Sequence, residues 1–72
     1  MQKIDPQHVQ VSRKEAASIL GVSPSEFDRL RKTDPECPKG YKHGPARNSA
    51  VTWRLSDVYA YSELRMQRAE AA

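Results

Sequence analysis

The chain predicts a small α+β fold, a winged helix-turn-helix with a two-stranded β-hairpin wing and a C-terminal helix. Three observations carry this expectation. Between Ala17 and Arg29, a glycine separates two helical patterns, and the second begins on a serine–proline pair. Between Pro38 and Arg54, turn-forming residues separate two short stretches of strand character. After Arg54, Leu55, Val58, Tyr61 and Leu64 recur at helical spacing.

Residues 1–10 are polar and carry Pro6, which reads as a flexible N-terminal arm. Ser12 with Glu15 three residues later forms a capping-box signature, so a helix is expected from Arg13 to Leu20. Gly21 can adopt the left-handed conformation that ends a helix. Ser23 and Glu26 repeat the capping box, with Pro24 at the first helical position, where its missing N–H is harmless. This second helix is expected to reach Lys32 and to stop at Asp34-Pro35, because the residue before proline disfavours helix. Gly40 to His43 reads as one short strand and Val51 to Arg54 as its partner, with Gly44 to Ala50 as the loop. Ser56 is expected to cap the last helix, with Asp57 favourable at its positive end. The winged domain then spans 11–68 and the tail 69–72 frays. The expected core is Val11, Ala17, Leu20, Val22, Phe27, Leu30, Tyr41, Trp53, Leu55, Val58, Tyr61 and Leu64.

Seventy-two residues make one domain close to the lower size limit for an independent core. A single cysteine, Cys37, rules out an internal disulfide and fits a reducing cytoplasm. No apolar run approaches the roughly 18 residues of a membrane span, and nothing at the N-terminus reads as a signal peptide. Cys37, His43 and His8 are too few and too irregularly spaced for a closed zinc site, so no metal or other cofactor is expected. No nucleophile–base–orienter set and no phosphate-cradling glycine loop appear, so an enzyme is not expected.

Charge is unevenly distributed. Arg29, Arg31, Lys32, Lys39, Lys42, Arg47 and Arg54 face only Asp34 and Glu36 between residues 29 and 54, which leaves the flanks net acidic. A basic middle suggests a polyanionic partner. At 100° per residue, Ser25, Asp28, Arg29 and Lys32 share the outward side of the second helix, opposite Phe27 and Leu30. Arg29 suits a guanine edge or a phosphate, and Ser25 a base or backbone oxygen. Arg31 and Lys32 suit phosphate, and Ser23 stands at the start of the same helix. Asp28 would repel phosphate unless it accepts from a cytosine amine or pairs with Lys32 four residues on. Lys42, His43, Arg47 and Asn48 lie on or beside the wing loop, where an arginine can enter the minor groove or clamp a phosphate.

The stretch Glu15-Ala16-Ala17-Ser18-Ile19-Leu20-Gly21-Val22-Ser23, followed by Ser25, Phe27, Arg29 and Leu30, resembles the AlpA-like phage regulators and excisionases of the MerR-like winged-helix group. Asp34-Pro35-Glu36-Cys37-Pro38 resembles a second family segment, with Cys37 in place of phenylalanine. Lys42, Gly44, Arg47 and Trp53 resemble the wing. Ser56-Asp57-Val58 and Ala60-Tyr61 resemble the closing helix. Asp28 stands where the family often has tyrosine. The resemblance implies a sequence-specific double-stranded DNA-binding protein of a phage or mobile element, located with the nucleoid. It implies transcriptional regulation or excision beside an integrase, with self-association on tandem DNA sites. The alternatives are a phage DNA-packaging recognition domain, or a protein-interaction adaptor that no longer touches DNA.

Overall fold

The computed structural model describes residues 8–46 and 49–71. The elements run β1 (Gln10–Val11), α1 (Arg13–Leu20), α2 (Pro24–Thr33), β2 (Tyr41–Lys42), β3 (Val51–Arg54) and α3 (Leu55–Ala71). Three helices pack with one antiparallel sheet of order β1-β3-β2.

Both short helices start where their caps dictate. The Ser12 hydroxyl accepts the Glu15 N–H, and the Glu15 carboxylate reaches back to the Ser12 N–H. Gly21 ends α1 at φ 73°, and its N–H and that of Val22 return to the last carbonyls of the helix. Ser23 caps α2 by accepting the Glu26 N–H at 3.1 Å. The Glu26 side chain does not complete the expected box. It pairs with Arg29 instead, at 2.9 Å.

The expected two-stranded wing is a three-stranded sheet. Gln10 and Val11, at the edge of the expected N-terminal arm, pair with Arg54 and Trp53. The ladder continues as the Leu55 N–H donates to Val9 O at 2.8 Å. On the other side of β3, Tyr41 faces Thr52 and Lys42 faces Val51. Partners in a ladder share a face, so Tyr41 lies with outward-facing Thr52 and is 47% exposed. It is therefore not the core residue the sequence suggested. Helix α3 begins at Leu55, directly after β3, so Ser56 sits inside the first turn and is not a cap. The helix continues to Ala71, through residues 69–71 of the expected tail.

The core is Val11, Ala16, Ala17, Phe27, Cys37, Trp53, Val58 and Tyr61. Leu20, Val22, Leu30, Leu55 and Leu64 pack around it half-buried. Trp53 is the centre. Phe27 meets it edge-on, with ring centroids 5.1 Å apart. Its indole N–H donates to Pro38 O at 3.1 Å. Gly40, at φ 81°, lets the chain pass against the indole, because a Cβ there would lie 2.8 Å from Trp53 Cε2.

One polar junction ties the end of α2 to α3. Asp34 Oδ2 accepts from Arg68 at 2.7 Å and from the Tyr61 hydroxyl at 2.6 Å, while Oδ1 accepts the Glu36 N–H at 3.0 Å. These donors, Arg68 foremost, hold the Asp34 carboxyl well below the ordinary carboxylate range. Burial, together with this hydrogen bond, pushes the Tyr61 phenol above its ordinary value. Between Tyr61 and Arg68 on α3, Arg65 reaches Leu20 O at 3.4 Å, placing a cation at the C-terminus of α1.

Candidate functional site

Helix α2 is held from within and open to the outside. Phe27 and Arg31 are one turn apart, and both contact Trp53. The Arg31 guanidinium carbon lies 4.8 Å from the indole centroid. Its side chain is 32% exposed, against 70% for Arg29. The sequence suggests a phosphate contact for Arg31 and a base or phosphate contact for Arg29, although the helical period sets Arg31 one turn beyond inward-facing Phe27. In the fold, Arg31 braces α2 against the sheet, whereas Arg29 projects into solvent.

Ser25, Arg29 and Lys32 are exposed on α2, as the helical period requires. Ser23 is exposed too, but its hydroxyl is engaged in the cap. Arg29 pairs with Glu26, an exposed contact within one turn that is cheap to exchange.

Asp28 has a different partner from the expected Lys32. Arg13, at the first position of α1, grips it with two nitrogens. Nε donates to Oδ1 at 2.9 Å and to Oδ2 at 3.1 Å, and Nη2 donates to Oδ2 at 2.7 Å. Arg31 adds a looser contact to Oδ1 at 3.7 Å. The Arg13 hydrogen bonds come first among the causes that lower the Asp28 pKa, with Arg31 and Lys32 contributing by charge alone. Arg13 and Asp28 are fifteen residues apart in the chain, and no local pattern links them.

Arg13, Asp28, Arg31, Lys32 and Lys39 line one open groove. Four cations from α1, α2 and the segment before β2 therefore surround one carboxylate. Sequence reasoning missed Arg13 altogether. It counted Lys39 in the basic middle without giving it a place.

The wing residues separate. Lys42 is exposed on β2, on the strand face of Val51. His43 follows it, and its Nε2 lies 2.7 Å from Thr52 Oγ1. Thr52 in turn donates to Gln10 Oε1 at 2.6 Å. A hydroxyl has one proton to give, so Nε2 of His43 is the donor to Thr52. A polar chain thus runs from β1 across β3 to the residue after β2 on the outward face, where Arg54 also lies 5.6 Å from the Tyr41 ring centroid. Arg47 and Asn48 lie outside the described residues.

Among the described residues, no cluster of His, Cys, Asp and Glu side chains is placed to hold a metal ion. Among them, too, no helix is long and apolar enough to cross a membrane. The arrangement is thus a solvent-facing basic surface around a rigidly seated helix, suited to electrostatic and hydrogen-bonded contact with an extended anion. No family model, curated protein or solved structure matches the chain.

Proposed function

We propose that the chain is a sequence-specific double-stranded DNA-binding protein built as a winged helix-turn-helix. In this reading α2 enters the major groove, and the segment joining β2 to β3 grips the minor groove or the backbone. One observation carries it above all. The inner side of α2 is fixed to Trp53 by Phe27 and Arg31, while Ser25, Arg29 and Lys32 stand exposed on its outer side. A helix that reads base edges needs both properties, because bidentate contacts demand a fixed frame and exposed donors. Lys39 and Lys42 extend the positive surface beyond the helix, where phosphates flank a groove.

The resemblance to phage regulators and excisionases supports a role in transcription or recombination, with an integrase and further copies of the chain as partners. An adaptor that avoids DNA draws its support from Glu26 and Asp28. Each of those carboxylates is held by an arginine, which lessens the repulsion it would exert on phosphate.

Selection from a random duplex library, followed by a salt titration on the enriched sequence, tests the proposal. If about five cations contact phosphates, log affinity falls with log salt at a slope of roughly −4 to −5. No enrichment, or a slope near zero, refutes it.

A further inference from the structure

We infer that Asp28 is a built-in counter-ion that occupies the Arg13 fork and thereby holds down affinity for duplexes of arbitrary sequence. The inference rests on the duplex-binding reading and names a specificity-setting residue within it.

The geometry carries the argument. Arg13 presents Nε and Nη2 to two oxygens of one planar group. That fork-to-fork arrangement is the one a guanidinium makes with two phosphate oxygens. Asp28 thus stands where a phosphate would stand, in a groove otherwise lined by Arg31, Lys32 and Lys39. The pair is open to water, with side chains 48% and 39% exposed. Water screens the exposed pair, and a phosphate offers the same fork two oxygens in return, so it can take the place of the carboxylate. The displaced carboxylate remains on the outward side of α2, however, beside Arg29 and Lys32. A phosphate that captures Arg13 therefore meets a negative charge nearby. Contacts elsewhere, from base edges to α2, must offset that repulsion. Random sequence lacks those contacts and gains little from Arg13.

The test is a fluorescence-anisotropy titration of a random-sequence 20-base-pair duplex with the full chain. Asp28→Asn is expected to bind about tenfold more tightly than wild type and to steepen the salt slope by about 0.9, the increment for one additional phosphate. Arg13→Gln combined with Asp28→Asn is expected to lose both gains. Asp57→Asn removes the same charge from the start of α3 and controls for net charge; it is expected to bind as wild type does. In the wild-type protein, the Arg13 Nε–H resonance is expected to move when the duplex enriched by selection is added and to stay in place with the random one, which reads the exchange without any substitution.

No gain for Asp28→Asn, an equal gain for Asp57→Asn, or an Arg13 resonance unmoved by the enriched duplex overturns the inference and leaves the duplex-binding reading standing. Binding of the random duplex by Asp28→Asn with none by wild type supports the inference, and binding by neither overturns it; the duplex-binding reading is overturned separately, by the failure of the selection to enrich any sequence.

Discussion

Replacing Gly40 with alanine separates two costs that most glycine substitutions combine. At φ 81° an alanine carries the penalty of left-handed backbone, about 1–2 kcal/mol. Its Cβ would also lie 2.8 Å from Trp53 Cε2, 2.9 Å from Nε1 and 2.8 Å from Val51 Cγ1. The indole has no room to retreat, since Phe27 meets its edge, Arg31 lies over its face and Pro38 holds its nitrogen. Overpacking of this kind costs a further 1–3 kcal/mol or so. Gly21 provides the reference, because its φ is 73° and nothing lies within 4 Å of its added Cβ. Gly21→Ala carries the backbone cost alone. A domain of this size melts about 4–8 °C lower per kcal/mol lost. Gly40→Ala is therefore expected to melt below Gly21→Ala by at least about 4 °C, as measured by circular dichroism under matched conditions. Its total loss, about 2–5 kcal/mol, is a large fraction of the roughly 4–11 kcal/mol that 72 residues supply. Equal melting temperatures for the two variants would refute the account of how the chain packs on Trp53.

Other outcomes follow from the same contacts. Asp34 is held below its unfolded value of about 3.9, so its contribution is complete above that pH and is lost as pH falls toward the folded value. Urea midpoints between pH 2 and 6 are expected to fall less steeply for Asp34→Asn than for wild type. Arg29→Ala is expected to cost specific DNA binding about 1–3 kcal/mol and to leave the melting temperature nearly unchanged, because its pair with Glu26 is exposed to solvent. Arg31→Ala is expected to lower stability by about 0.5–1 kcal/mol through the lost indole contact. Calorimetric melting and duplex titration of the two variants check both statements. Cys37 is 4% exposed, and burial pushes its thiol up, so alkylation by iodoacetamide is expected only in urea.

What the sequence made legible was local. Ser12, Gly21, Ser23 and Pro24 act on neighbours within four residues, and each stands where its chemistry placed it. The outward side of α2 followed from the helical period alone. The misreadings involve partners distant in the chain or a choice between two faces. Gln10 and Val11 form a strand only because Arg54 and Trp53 are there to pair with them. Two residues leave no periodic trace. Tyr41 reads as core by composition, yet register opposite Thr52 turns it outward, and a strand has only two faces to choose between. Ser56 has the right chemistry for a cap, but β3 runs into α3 one residue before it. Arg13 lies at a helix start that the capping box explains completely, so nothing local marks its second task of holding Asp28.

Trp53, 1% exposed and the chain's one tryptophan, has a spectroscopic consequence. Its neighbours come from α2 and from the segment leading into β2, so its ultraviolet emission reports how the helix is seated on the sheet. Unfolding should move that emission to longer wavelength as water reaches the indole. The same signal is sensitive to the Arg31 guanidinium on its face. A partner that draws on Arg31 would therefore announce itself by a change in that emission, and no dye would have to be attached.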